Sequence, residues 1–185
     1  FGLIEYDLIP DVRISDIVGQ CRSAVAWVHA NAAVYNLDPT RIYVSGHSAG
    51  GHLTIMLSLT DWSTFCGGPT DLMKGGCAIS GIYELAPIQL SYMQETLSLS
   101  DEDLTQNSPI RMTSVPNTNL IIAVGGAETD EFRRQSQDFT DDWNAKGANC
   151  TFLEQPGCNH FSILSDFADA DSAMVQVMLR QMEVG

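Results

Sequence analysis

The sequence predicts an α/β protein in which a mostly parallel sheet carries helices on both faces. Short apolar runs typical of buried strands alternate with longer segments whose apolar residues recur at helical spacing. This alternation is the pattern of a parallel sheet covered on both sides. The length of 185 residues and a hydrophobic content of 44% are enough for one core. We therefore expect a single domain over residues 1–185.

Five apolar runs are predicted to be strands. They are residues 2–8, 42–45, 77–80, 120–124 and 150–153. The first run is rich in apolar and β-branched residues and stops before Pro10, while the fourth is unbroken and stops at Gly125. Five strands make a small sheet, so we expect an upstream segment to supply further strands beside the first or second run.

Helical spacing separates these runs. The first helix is predicted over residues 14–33, the second over 49–57 and the third over 132–143, and a closing apolar stripe is formed by Val175, Met178, Leu179 and Met182. Residues 84–116 differ, because they mix short amphipathic pieces with an acidic run at 101–103 and three prolines. We interpret them as a partly helical, cap-like insertion over the mouth of a site.

The charge excludes several classes of partner. The formal net charge is −14, which disfavours nucleic acid and anionic lipid. The apolar stretch at 120–124 is far shorter than the roughly 20 residues of a membrane helix. No targeting peptide is visible, and the chain begins as if cut from something longer. A small molecule is the expected partner, and a homodimer is compatible with the sequence.

The five cysteines indicate a reduced, cytoplasmic setting. Their number is odd and no C-x-x-C pair is present, although a bridge between Cys150 and Cys158 stays open as an alternative. No two His or Cys residues show ligand spacing on a helix, so we predict neither a metal nor a cofactor.

A candidate nucleophile lies in the segment Gly46-His47-Ser48-Ala49-Gly50. It matches G-x-S-x-G and stands directly between a predicted strand and a predicted helix, as a nucleophile elbow requires. Both glycines are expected at points where a side chain would collide with neighbouring main chain. Ser48 would be exposed at the helix N-terminus, with the Ala49 N–H as oxyanion donor. The alternative is a glycine-rich turn with an incidental serine.

A nucleophilic serine needs a base, and the chain has four histidines. His160 lies in a loop after the last predicted strand, where its ring can reach the carboxyl ends of the strands. His29 is expected to be a surface or packing residue, His47 to project away from Ser48, and His52 to make a structural hydrogen bond. His160 is therefore the predicted base.

The acid that orients the base is expected after the preceding strand, because the chain order in this arrangement is Ser, acid, His. The loop after residues 120–124 offers Glu128, Asp130 and Glu131. Asp130 is favoured, since shorter acids are the usual choice and it stands several residues beyond the strand. Glu128 is the alternative.

Several sequence blocks together resemble the arylformamidase (kynurenine formamidase) branch of the α/β-hydrolases. They cover most of the chain and comprise G-H-S-A-G-G-H-L at 46–53, S-G-I-Y-E-L-A-P at 80–87, Ser108-Pro109, G-A-E-T-D-E-F-R-R-Q-S at 126–136 and N-H-F at 159–161. The resemblance implies a Ser48, Asp130 and His160 triad acting on aryl formamides such as N-formylkynurenine, or on small activated esters.

One feature of that family has no counterpart here. Its members have further strands and a histidine-glycine loop before the elbow, which gives a second oxyanion donor, but no His-Gly pair precedes Gly46. We therefore expect an N-terminal part to be absent from this sequence and the chain alone to be poorly active, since losing one oxyanion donor costs about 10² to 10³ in kcat.

The sequence thus predicts a cofactor-free serine hydrolase that works through an acyl-enzyme. Tyr83, Tyr92 and Met93, in or beside the cap-like insertion, are expected to contact an aryl leaving group. The alternative from another class is a non-catalytic binding protein, or an inactive fragment, that retains the fold. A metal-dependent hydrolase is a third option.

Overall fold

Four parallel strands form the sheet of the computed structural model, which describes residues 1–115 and 118–184. The strands are β1 (Ile42–His47), β2 (Met73–Ile79), β3 (Asn119–Gly125) and β4 (Asn149–Gln155). They pair in chain order, β1 with β2, β2 with β3 and β3 with β4, and every pair is parallel. The four carboxyl ends therefore lie at the same edge of the sheet.

Helices cover both faces of this sheet. They are α1 (Ile14–Asn31), α2 (Ala49–Ser58), α3 (Trp62–Cys66), α4 (Ala86–Gln89), α5 (Gln94–Leu97), α6 (Asp101–Asn107), α7 (Asp130–Ala145) and α8 (Ala173–Gln181), with 3₁₀ helices at Ala32–Tyr35, Pro109–Arg111 and Ser162–Ala168. Within the described ranges, no helix has both the length and the apolar character to cross a membrane.

Successive residues of each strand point to opposite faces, and each face has its own core. Leu120 and Ile122 of β3 pack in a cluster with residues of α1, α2 and α7. Ile121 and Ala123 pack in a second cluster with Met174 and Met178 of α8 and with Ile163. The prediction of a parallel sheet with helices on both faces is confirmed.

The prediction of a strand over residues 2–8 is wrong. These residues form no strand, although Ile4 and Tyr6 pack partly buried against the core while Leu3 and Leu8 are exposed. The apolar and β-branched run that predicted a strand does supply residues that pack against the core, but a strand also needs a partner strand. The strand nearest to residues 2–8 in sequence is β1, which lies at an edge of the described sheet and pairs only with β2.

Residues 84–115 contain α4, α5, α6 and a 3₁₀ turn, so this segment is partly helical as expected; Pro116 of the predicted insertion lies outside the described residues. The start of this segment is hydrogen-bonded to α7. The Gln135 Oε1 atom accepts hydrogen bonds of 2.8 Å from the N–H groups of both Tyr83 and Glu84. Leu85, Leu99 and Leu104 then form a small core of its own.

Candidate active site

Ser48 occupies a sharp turn between β1 and α2. Its φ of 56° and ψ of −115° are unusual for a residue with a side chain, so the turn is strained. The Ser48 N–H donates to the carbonyl of Ile79 at 2.8 Å, which ties the turn to the end of β2. The structure thus contains the strand, turn and helix of a nucleophile elbow.

The glycines around the elbow differ in whether the structure leaves room for a side chain. A Cβ on Gly46 would lie 2.3 Å from the carbonyl oxygen of Gly50, so a side chain is excluded there. A Cβ on Gly50 would have no atom within 4 Å, and the expectation of a collision at that position is wrong. The second close approach is at Gly51, whose Cβ would lie 2.8 Å from the Cα of Gly81, because α2 starts directly against the residues after β2.

The imidazole of His160 lies beside Ser48, as predicted. The Ser48 Oγ–His160 Nε2 distance is 3.1 Å, and the His160 Nδ1–Glu128 Oε2 distance is 2.7 Å. A carboxylate only accepts hydrogen bonds, so Nδ1 carries the proton and Nε2 is free to accept the Ser48 hydroxyl proton. The ring is flanked by Phe132 and His47, each with a ring-centroid distance of 4.5 Å.

The prediction that Asp130 approaches His160 is wrong, and the alternative acid, Glu128, takes that place. Asp130 is the first residue of α7, and its fully exposed carboxylate lies 3.8 Å from the Arg133 guanidinium. Glu128 lies in the tight turn before the helix, where its N–H donates to the carbonyl of Gly125 at 3.1 Å. Because α7 begins two residues earlier than the apolar spacing indicated, Glu128 is the candidate acid that lies in the turn before the helix.

The Glu128 side chain is completely buried, and both of its carboxylate oxygens have hydrogen-bond partners. Oε2 faces His160, while Oε1 accepts hydrogen bonds from the Ser80 hydroxyl at 2.5 Å and from the Gly125 N–H at 2.8 Å. A buried carboxylate is tolerated only when such donors surround it. The arrangement suits a fixed negative charge that orients an imidazole.

Ser80 is a site residue that sequence reasoning did not identify. It follows β2 directly, is fully buried, and has a φ of 49°. Its N–H donates to the carbonyl of Ala123 at 2.7 Å, which aims the hydroxyl at the end of β3. The signal was present in the sequence, because a serine placed directly after a central parallel strand must lie at the edge where Ser48 and His160 lie.

The other histidines make distinct contacts. The ring Nε2 of His52 donates to the carbonyl of Asn107 at 2.7 Å, the structural hydrogen bond expected of it, and burial lowers its pKa. The prediction for His47 is that it projects away from Ser48; its Nε2 donates to the carbonyl of His160 at 2.7 Å, so its ring lies beside the base. Burial lowers the pKa of His47 as well. His29 lies partly exposed on α1.

Ala49, the predicted oxyanion donor, lies at the start of α2. It is the first residue of α2, and its amide N–H has no acceptor within its own helix. The N-terminal end of a helix carries partial positive charge, which favours a developing oxyanion beside Ser48. Within the described ranges, no group of three or more His, Cys, Asp or Glu residues is arranged to hold a metal ion.

The residues expected to form a leaving-group pocket lie in different environments. Tyr83 is fully buried in the main core, where its ring stacks on Phe139 at 4.4 Å, so its assignment to the pocket is wrong. Tyr92 is 87% exposed and Met93 is 38% exposed. In the described part of the chain, no hydrogen bond joins the side chain of Tyr92 or Met93 to Ser48 or His160. Their contact with a leaving group stays a prediction.

The fold and the elbow define the chain as a protein of α/β-hydrolase fold. The BD-FAE family model matches residues 2–74. A solved structure of an arylesterase superposes with a TM-score of 0.78 at 17% identity, covering 97% of this chain and 64% of the arylesterase. These matches confirm the fold class.

Kynurenine formamidases are among the chain's relatives. The enzyme of Salmo salar is 32% identical over 185 residues, which are 97% of this chain and 61% of the relative. The enzyme of Danio rerio is 29% identical, with the same two shares. The resemblance to the arylformamidase and esterase branch of the α/β-hydrolases is confirmed. The chain spans about three fifths of the length of these relatives.

Proposed function

We propose that the chain carries the catalytic centre of a serine hydrolase that cleaves aryl formamides or small carboxylic esters. The hydrogen-bonded series from Ser48 through His160 to Glu128 carries this proposal. Its two distances of 3.1 and 2.7 Å lie within the range needed for proton transfer and for fixing the imidazole. Glu128 replaces the aspartate that the sequence favoured.

In the first half of the reaction, the Ser48 Oγ attacks the substrate carbonyl carbon while its proton moves to His160 Nε2. Glu128 stabilises the imidazolium that results, and the Ala49 N–H donates to the carbonyl oxygen as it becomes negative. His160 then gives the proton to the leaving nitrogen or oxygen. The bond from the carbonyl carbon to that atom breaks, and the acyl group stays on Ser48.

In the second half, a water molecule replaces the leaving group. His160 takes a proton from this water, whose oxygen attacks the acyl carbon. The bond to Ser48 Oγ breaks as His160 returns the proton to the serine. The product is formate from a formamide, or the corresponding acid from an ester. Every step uses side-chain and main-chain groups of this chain. The proposed partner is a small molecule, and the proposed setting is the cytoplasm.

The formamide is the favoured substrate class because the two fish relatives are named for that reaction. The arylesterase match supports the fold only, yet small activated esters react by the same steps and make convenient probes. N-formylkynurenine and p-nitrophenyl acetate therefore test the two classes.

The proposal is tested by labelling with a fluorophosphonate and by turnover of both substrates. The Ser48→Ala variant should lose labelling and at least about 10⁴-fold of any turnover. Ser45→Ala, which changes an exposed serine of β1, is the matched control and should behave as the unmodified chain. A folded chain whose Ser48 is not labelled, and which turns over neither substrate, would favour a non-catalytic binding protein instead.

A further inference from the structure

His47 is the chain neighbour of the nucleophile and also contacts the base. It is the last residue of β1 and stands next to Ser48. Its Nε2 lies 2.7 Å from the main-chain oxygen of His160, and the two imidazoles lie 4.5 Å apart at an interplanar angle of 45°. A residue of the elbow thus contacts both the ring and the backbone of the base.

The proton on His47 follows from this contact. A carbonyl oxygen only accepts hydrogen bonds, so the Nε2 atom of His47 must carry a proton. Burial lowers the pKa of His47, and the neighbouring His160 acts in the same direction, which outweighs the opposing effects of the His160 carbonyl and Glu128. His47 is therefore a neutral donor near pH 7. A neutral neighbour does not repel the imidazolium that forms on His160 during proton transfer.

The loop that carries His160 is otherwise fixed before and after that residue. The Cys158 carbonyl accepts the Ala127 N–H at 2.9 Å, and the side-chain oxygen of Asn159 accepts the N–H groups of Phe161 and Ser162 at 3.0 and 2.9 Å. These contacts shape the loop but none joins it to the elbow. The His47 hydrogen bond makes that connection at the backbone of His160 itself.

We propose that His47 is a positioning residue that holds His160 at the correct distance and orientation toward Ser48. It acts through His160 and touches no reacting atom. The inference rests on the function proposed above, because the distance matters only if Ser48 is the nucleophile.

Two amide variants separate the hydrogen bond from other effects of the side chain. The Nε2 of a glutamine takes nearly the place of the histidine Nε2, so His47→Gln should keep a donor to the His160 carbonyl. His47→Asn is shorter by one methylene and should lose it. His29→Gln, on α1, makes the same change away from the site. Thermal unfolding of the three variants and of the unmodified chain shows which of them are folded.

The first measurement is the rate at which a fluorophosphonate labels Ser48. Misplacing a reacting group by about 1 Å costs about 10²-fold in rate, so His47→Asn should label about 10²-fold more slowly than the unmodified chain. His47→Gln should lose much less, and His29→Gln nothing. Equal rates in the Gln and Asn variants would overturn the proposal.

The second measurement does not depend on activity. The His160 Nδ1 proton, held by Glu128, should give a low-field proton NMR signal that is shielded from exchange with water. This signal should persist in His47→Gln and broaden or vanish in His47→Asn. If Ser48 is never labelled but the signal behaves in this way, the proposed function fails and the positioning of His160 by His47 stands. If the unmodified chain lacks the signal, both proposals fail.

Discussion

Glu128 is a buried charged residue, and hydrogen-bond donors around its carboxylate compensate for the hydration it loses. A buried carboxylate without donors would lose several kcal/mol of hydration. Ser80, Gly125 and His160 together supply three donors to its two oxygens. Glu128 therefore depends on all three donors, and a change at one of them should be felt at the carboxylate.

Removing the Ser80 hydroxyl tests this dependence. Ser80→Ala should lower the free energy of unfolding by about 1.5–3 kcal/mol, because a hydrogen bond to a charged group is lost. It should also slow the labelling of Ser48, since Glu128 no longer holds a single orientation. Ser80→Gly loses the hydroxyl but relieves the positive φ of 49°. If Ser80→Gly labels as fast as the unmodified chain, the backbone and not the hydroxyl is what matters.

At the scale of elements, the elbow depends on one glycine more than on the other. Gly46→Ala should disrupt the turn, because its methyl group would lie 2.3 Å from the Gly50 carbonyl oxygen. Gly50→Ala should leave the fold intact and stabilise α2 by up to about 1 kcal/mol, since alanine favours helix. Chemical denaturation of both variants measures the difference. Equal losses of stability in the two variants would show that the turn can shift to make room for a methyl group at Gly46.

His52 links α2 to the end of α6 and makes that contact pH-sensitive. Burial lowers the pKa of His52 below its ordinary value of 6.5, so the folded chain binds fewer protons than the unfolded chain at mildly acidic pH. The free energy of unfolding should therefore fall as the pH drops below about 6.5, with a contribution of up to about 1.4 kcal/mol per pH unit.

The His52→Gln variant isolates this contribution. Its amide N–H can still donate to the Asn107 carbonyl, yet it cannot take up a proton. Between pH 7 and pH 5.5, its stability should depend less steeply on pH than that of the unmodified chain. Parallel pH profiles from urea denaturation would mean that another group is responsible.

The start of α7 shows which part of the site could be predicted. The strand order and the elbow fix the place of Ser48 and His160, and both follow from apolar patterning and loop position. The choice between Glu128 and Asp130 depends on whether the helix begins at residue 130 or 132, and boundaries of helices are defined less sharply than their centres. Ser80 falls inside the predicted strand 77–80, and its place at the carboxyl edge becomes clear only because β2 ends at Ile79.

At the scale of the molecule, the parallel sheet explains how distant residues meet. Ser48 follows β1, Ser80 follows β2, Glu128 follows β3 and His160 follows β4. Because all four strands run the same way, each contributes one residue to the same edge. Residues 2–8 form no strand for a related reason, since an apolar run can indicate burial but does not specify a partner strand.

The net charge of −14 predicts how stability responds to salt. Because 23 acidic side chains outnumber 9 basic ones, the net interaction among the charges is repulsive and opposes folding. Salt shortens the range of this repulsion from about 30 Å at 0.01 M to about 8 Å at 0.15 M. Exposed ion pairs such as those of Arg134 with Glu84 and Asp138 weaken too, but each contributes at most about 1 kcal/mol. The melting temperature should therefore rise when sodium chloride is added. A fall would mean that ion pairs outweigh the repulsion.

The central claim is that Ser48, His160 and Glu128 act as one catalytic unit, and fluorophosphonate labelling of a matched pair of variants tests it most directly. Glu128→Gln leaves the shape of the site but removes the charge that orients His160, so labelling of Ser48 should slow by up to about 10⁴-fold. Asp130→Asn changes an exposed carboxylate two residues away and should label at the rate of the unmodified chain. Rapid labelling of Glu128→Gln together with slow labelling of Asp130→Asn would contradict the account.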